Sequence, residues 1–323
     1  MSLSQRRFGV ELEVILPFCP SKLPRGTTRF DKVATLLRQN GIPAMTEDEA
    51  KAKPRSVGPD VWIVKDDETL GGSCVDFEGV EIVSPILAGE RDLKKLLNVT
   101  RLLKDTGFTT NFQTGLHVHH EADDLEMEDW RRLVVNYYLT EPAFDRLVQP
   151  DRRGDENSHA MSTRRDVDIE ALVEELEEAE TVEDISNQLF PGVNQTHELK
   201  MNVDAFIKHG TVEFRQHEGT LEEEEVEHWV RLTQAFVDHS VDSPELLAVN
   251  DGITDPLEAW EEVEDDGPRL QDPLLKRLIS LPGPKTRDHY IGVVEHYEGK
   301  VSPMLAGIPR GPRTRQPVPG GWS

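Results

Sequence analysis

Cysteine is nearly missing from this 323-residue chain: Cys19 and Cys74 are the only two, far apart and in no CxxC spacing. That excludes a disulfide framework and a thiolate metal centre, and leaves two free thiols. No stretch of roughly 18 apolar residues occurs, so no membrane-spanning helix is expected. Met1 to Arg7 lead straight into a strand pattern instead of an apolar leader, which makes a soluble, cytoplasmic protein the expectation. Neither GxGxxG nor GxxxxGK(S/T) is present, so the usual glycine-rich phosphate loops are ruled out. Positive charge is scarce as well, with 36 basic residues against 61 acidic ones and a net charge of −25. Such a chain repels a phosphate backbone, and nucleic acid is not an expected partner.

The remainder is rich enough to fold. Hydrophobic residues make up 37% of the chain, enough for a substantial core. Alternation marks strands at Phe8 to Ile15, Val61 to Val64, Val80 to Val83, Thr114 to His120, Leu199 to Val203 and Thr211 to His217. Helical spacing marks Phe30 to Gln39, closed by Gly41, and Arg91 to Thr106, closed by Gly107. A long amphipathic helix is read from Leu125, Trp130, Leu133, Val134, Tyr137 and Tyr138 through to Val148. Thr220 with Glu223 fits a capping box for a further helix carrying Val226, Trp229, Val230, Phe236 and Val237. This is an α+β pattern: a mixed or mainly antiparallel sheet with helices on one side, over about residues 1–248. Residues 249–323 read as an appendage with one short helix at Leu274 to Ile279 and a Pro/Gly/Arg-rich tail from Pro303.

An acidic insertion spans about residues 166–193. No Lys or Arg occurs from Asp166 to Leu199, whereas Ile169, Leu172, Val173 and Leu176 recur at helical spacing. It reads as an amphipathic helix with a solvated acidic face; a docking surface for a basic partner and adaptation to high salt are the other readings.

Three short stretches place chemistry-bearing residues at every second position: Glu11-Leu12-Glu13, His117-Val118-His119 and Glu213-Phe214-Arg215. Side chains i and i+2 of a strand point the same way, so each stretch aims two polar groups at one face. Carboxylates, imidazoles and a guanidinium side by side can hold divalent metal and phosphate together. Each pair has a plainer explanation alone: a solvated Glu-x-Glu strand, a zinc site or structural histidines at His117 and His119, and a same-face ion pair of Glu213 with Arg215. Phe8, Val10, Leu12 and Val14 occupy the face opposite Glu11 and Glu13 in a regularly alternating strand, which favours the ligand reading of that pair over the plainer one.

With these motifs in view, the chain resembles the amidoligase family, related to glutamine synthetase and glutamate-cysteine ligase. Five motifs in family order carry the resemblance over roughly residues 7–240: Phe8 to Glu13, Trp62 with Asp67 to Leu70, Gly79 to Leu87, Thr114 to His119, and Gly210 to His217. The resemblance implies a glutamine-synthetase-like curved, mainly antiparallel sheet forming a funnel, with helices on its outer face. It implies ATP and two or three Mg²⁺ or Mn²⁺ ions as cofactors, the ions held by Glu11, Glu13, Glu81, His117 and Glu213. Arg215 would meet the nucleotide phosphates, with His119, Lys200 and Arg152 helping, and Arg153 beside Arg152 in a basic loop. Asn111, Gly115 and Asn202, the last sharing a strand face with Lys200, would shape the substrate end, and Asp67 is a candidate base. The implied reaction is ATP-dependent joining of a carboxylate to an amine through an acyl phosphate, on small-molecule or peptide substrates. Where the family often reads Asp-Gly-Ser-Leu, this chain reads Asp67-Glu68-Thr69-Leu70, a difference that bears on substrate choice. Two other functions fit the residues: a zinc hydrolase built on His117 and His119, active without nucleotide, or a non-catalytic binding module.

Overall fold

A computed structural model describes residues 2–19, 23–67, 70, 78–154, 157–165, 167–189, 198–244, 246–247, 255–257 and 271–298. Seven strands form one sheet: β1 (Phe8–Ile15), β2 (Ala44–Thr46), β3 (Trp62–Lys65), β4 (Gly79–Val83), β5 (Gly115–Glu121), β6 (Met201–Asn202) and β7 (Thr211–Glu218). Their order is β2-β3-β4-β1-β5-β7-β6, antiparallel throughout except for the parallel β2–β3 pair. The described sheet is open, with β2 and β6 at its edges. The helices are α1 (Arg29–Gln39), α2 (Glu47–Ala52), α3 (Gly89–Asp105), α4 (Met127–Asp145), α5 (Ile169–Glu178), α6 (Val182–Leu189), α7 (Asp204–His209), α8 (Glu223–Asp242), α9 (Gln271–Ser280) and α10 (Pro284–Glu298).

Alternation divides the sheet into two unlike faces. Val10, Leu12 and Val14 of β1, Val80 and Ile82 of β4, Leu116 and Val118 of β5, and Val212 and Phe214 of β7 are all essentially inaccessible to solvent. Most of them meet helices: α8 lies on β5, flanked by α3 and α4, while α1 covers β2 and β3. Phe214 is boxed by the rings of Tyr137, Phe144 and Phe236 at 6.0, 6.3 and 6.1 Å, and truncating it should cost about 3–5 kcal/mol. The other face carries the polar members of the same strands.

Helix starts follow local chemistry. Thr28 with Asp31 and Thr46 with Glu49 form capping boxes for α1 and α2. The box expected of Thr220 and Glu223 does not form. The N-cap of α8 is Glu222, whose N–H donates to Thr220 Oγ1 (3.0 Å), so Thr220 shapes the turn before the helix, and Glu223, Glu224 and Glu225 in the first turn set negative charge at the positive end of its dipole. The expected Leu199 to Val203 strand shrinks to Met201–Asn202. Val203 turns helical (φ −85°, ψ −20°) and Asn202 Oδ1 accepts the Asp204 N–H at 2.9 Å, starting α7 in place of the ladder.

The acidic stretch holds two packed helices. Ile169, Leu172 and Leu176 of α5 and Ile185 of α6 are buried. Arg131 of α4 donates to the carbonyls of Leu176 (2.7 Å) and Ala179 (2.8 Å) at the end of α5, satisfying groups that a helix terminus leaves open. Asp166 and residues 190–193 lie outside the described residues. The expected Leu274 to Ile279 helix falls within α9, and α10 follows it unforeseen; Leu275, Leu278, Ile279, Tyr290, Ile291 and Val294 join the same core as α4 and α8. The tail from Pro303, most of Asn250 to Pro268, Cys74, Glu68 and Thr69 lie outside the described residues. Among the described residues no helix is long and apolar enough to cross a membrane.

Candidate active site

Register brings the three alternating stretches side by side. Glu11 stands opposite His117, Glu13 opposite Glu81, His119 opposite Glu213, and Asn202 opposite Glu213 on its other side. Lys65 of β3 faces Glu81 and extends the row toward β2. Six strands, β3, β4, β1, β5, β7 and β6, thus put one polar row on the face away from the core.

The groups touch. His117 Nδ1 is 3.3 Å from Glu11 Oε2 and 3.6 Å from Glu213 Oε1, and its Nε2 is 3.5 Å from Glu13 Oε1. His119 Nε2 lies 3.6 Å from Glu213 Oε1 and 3.7 Å from Glu11 Oε1 without a hydrogen-bond partner, while its Nδ1 is anchored 3.0 Å from Thr211 Oγ1. Arg215 donates to Glu213 Oε1 at 2.6 Å, and Asn202 Nδ2 donates to Glu213 Oε2 at 2.7 Å. Lys65 Nζ sits 2.8 Å from Glu81 Oε1 and 3.7 Å from Glu11 Oε1. Glu13, Glu81, His117 and Glu213 are all buried.

Crowded carboxylates in a dry place cannot all keep ordinary pKa values. Burial pushes the Glu81 carboxyl up to about 9, with the Glu11 carboxylate adding to the shift. Burial raises Glu13 too, opposed by His117 and by the Gly115 N–H donated to Glu13 Oε2 at 2.6 Å. Burial works against an ionised Glu11, yet the imidazoles of His117 and His119 hold it well below the usual carboxylate range. For His119, burial disfavours the charged form, but Glu213 and Glu11 raise its pKa. The row is a set of oxygen and nitrogen donors with surplus negative charge, and ligand atoms of Glu11, His119 and Glu213 all lie within 4.8 Å of one another. This donor set, with the lone Nε2 of His119 aimed between two carboxylates, fits a divalent cation.

Gly115 is demanded by this packing. A Cβ there would come 2.7 Å from His117 Nε2 and 3.5 Å from Glu13 Oε2, so only glycine lets the imidazole and the carboxylate close on the backbone. Asn111 shapes the preceding turn, its Oδ1 accepting the N–H groups of Gln113 (2.9 Å) and Thr114 (3.2 Å). Arg152 is buried at this end, donating to the Thr114 carbonyl, with its charge felt by Glu13. Asp67, just past β3, adds its charge to the surroundings of Glu13 and Lys65.

Two of the expected basic residues stand elsewhere. Lys200 does not share a face with Asn202: fully buried on the helix side, its Nζ binds Asp145 (2.7 Å) and Glu141 (3.1 Å). It precedes the two-residue β6, so strand alternation does not hold across positions 200 and 202. Arg153 donates to the Val148 carbonyl and lies over the Tyr297 ring, away from the row. Lys65, Thr211 and His209 went unnoticed in the sequence. Lys65 was within reach of it, because in Trp62-Ile63-Val64-Lys65 the buried Trp62 and Val64 assign Lys65 to the opposite face.

Two cavities meet over His119. One of about 220 Å³ is lined by Glu11, His119, Asn202, Lys208, His209 and Arg215; another of about 380 Å³ reaches Gly9, Ser84, Ile86 and Thr211 and shares Glu11, His119 and His209. The polar row therefore borders room for more than one small group.

No curated protein matches the chain. A family model described as "Putative amidoligase enzyme" matches residues 4–237, a span that holds every residue of the polar row from Glu11 to Arg215. The chain belongs to this amidoligase family.

Proposed function

We propose that the protein joins a carboxylate to an amine at the expense of ATP, by way of an acyl phosphate. The observation that carries this reading is the buried row itself. Four glutamates, two histidines and Arg215 crowd one sheet face, a costly arrangement unless cations and phosphates occupy it. Family membership supports the ligase class; ATP, the ions and the acyl phosphate are the proposal.

Glu11, Glu13, Glu81, His117 and Glu213 would hold Mg²⁺ or Mn²⁺, with His119 Nε2 at hand. Bound cations would draw charge from the β- and γ-phosphate oxygens. Arg215, anchored on Glu213, keeps its guanidinium beside the row and offsets the negative charge that grows as a substrate carboxylate oxygen attacks the γ-phosphorus and ADP leaves. An amine then attacks the acyl carbon, phosphate departs, and the proton released would go to a base, for which Asp67 is the candidate. The space over this face would be the funnel that the resemblance implies, its dryness protecting the acyl phosphate from water. Arg152 and Asn111 would fix the end at which Gly115 closes on Glu13.

The test is ADP and phosphate release from ATP with Mg²⁺ or Mn²⁺ over a panel of amino acids and short peptides. Release that needs both a carboxylate and an amine, and vanishes in Glu213→Ala, is the expected result. Hydrolysis of a peptide or amide without nucleotide would overturn it in favour of the zinc reading, for which the two imidazoles are the supporting observation.

A further inference from the structure

On the far side of the core, three side chains converge that the ligase reading leaves unused. Glu224 and His228 stand one turn apart on the same face of α8, and His289 of α10 stacks on His228 with ring centroids 4.3 Å apart and planes at 28°. One ligand atom from each of Glu224, His228 and His289 lies within 4.8 Å of the other two. His228 is completely buried, and its Nε2 has no hydrogen-bond partner. Its Nδ1 is held by Thr286 Oγ1 at 2.9 Å, on the same helix as His289.

We propose that Glu224, His228 and His289 form a second metal site, for zinc or a similar imidazole-binding divalent ion, that clasps α10 to α8. In the tautomer that donates Nδ1–H to Thr286 Oγ1 the Nε2 lone pair is free, and such an outer partner is what orients a metal-bound imidazole. Without a cation a buried ring nitrogen stays unsatisfied, which native cores avoid. Two imidazoles and one carboxylate select zinc-like ions over Mg²⁺ or Ca²⁺, which prefer all-oxygen sets. Glu224 is exposed and His289 half-buried, so the ion enters from solvent and keeps a coordination position for water. The ammonium of Lys285, nearby on α10, is engaged by both oxygens of Glu227, which removes it as a competitor for Glu224.

Because the polar row also carries imidazoles, the experiment is a comparison within a His119→Ala background of the full chain. ZnCl2 is titrated into His119→Ala and into His119→Ala/His289→Ala, following heat and the melting temperature. The expected result is one Zn²⁺ fewer per chain in the double variant, and a Zn²⁺-dependent rise in Tm of at least about 3 °C that only the single variant shows. Should the double variant fold poorly, Glu224→Gln at the exposed ligand should weaken Zn²⁺ at this site by about tenfold or more. Equal stoichiometry in the two proteins, or unchanged affinity in Glu224→Gln, overturns the proposal. Nucleotide-dependent activity of His289→Ala alone stays at the wild-type level, since neither helix position touches the polar row.

Discussion

Strand β7 serves two buried polar clusters, one on each face, and they are built on opposite terms. On the helix side, Gln216 donates to Asp145 and accepts from the Tyr137 hydroxyl, while Lys200 bridges Asp145 and Glu141. Glu141 also takes hydrogen bonds from Ser162 and from the Thr163 amide and hydroxyl. These carboxylates are answered by one lysine and a set of neutral donors. On the opposite face Glu213 and Arg215 enter a row in which carboxylates lean on one another's counter-ions, and His119 Nε2 and Arg215 Nε have no partner. A satisfied cluster specifies a fold, whereas a cluster with surplus charge and open donors is shaped for something that binds. The same strand carries both because its side chains alternate.

The comparison breaks most visibly by deletion. Glu213→Ala should lower ligase turnover by at least about a thousandfold, yet leave the melting temperature within a few degrees, because the charges of Glu11 and Glu13 still face Arg215. Steady-state kinetics beside thermal melting check it, and a collapsed fold would erase the contrast drawn here. Lys200→Met is the mirror image. Leaving Glu141 and Asp145 buried without their cation should cost about 3–5 kcal/mol of stability in denaturant unfolding, with turnover per folded molecule close to normal. Gly115→Ala falls between them, since the added methyl must displace the His117 ring. We expect a loss of about 1–3 kcal/mol in stability together with a loss in cation affinity, which manganese titration would register.

A different kind of effect is in pH. With its folded pKa raised to about 9, Glu81 keeps a proton at neutral pH that the unfolded chain releases above about 4.5. The folded state therefore binds more protons in that window, and its contribution to stability is lost as pH rises from about 5 to about 9. A cation requires the ionised form, so binding at pH 7 should release about one proton, visible as a buffer-dependent heat in calorimetry. Glu81→Gln should flatten both effects, and a wild-type profile unchanged by that substitution would contradict the assignment.

Legibility followed periodicity. β1, β4, β5 and β7 could be read nearly to the residue because long alternation has one meaning in a half-buried sheet, and the row's glutamates, histidines and Arg215 ride on that alternation. Where alternation is too short to act, the sequence misled. Lys200 and Asn202 look like same-face neighbours, but β6 is two residues long and its Asn202 starts a helix. Short elements such as β2 and α2 offered too few residues to show a period. α10 escaped because its apolar set is thin and its burial depends on the surface that α8 offers.

By itself the sequence determined which residues share a strand face and which helices cover the other, since side-chain direction repeats locally along the backbone. Only the tertiary structure decided that Glu11 lies beside His117 and His119 beside Glu213, that Lys65 closes the row, and that Lys200 answers Asp145 on the far side. Those choices depend on strand order and register between segments up to 106 residues apart, and on the burial that shifts their charges, which no local pattern encodes.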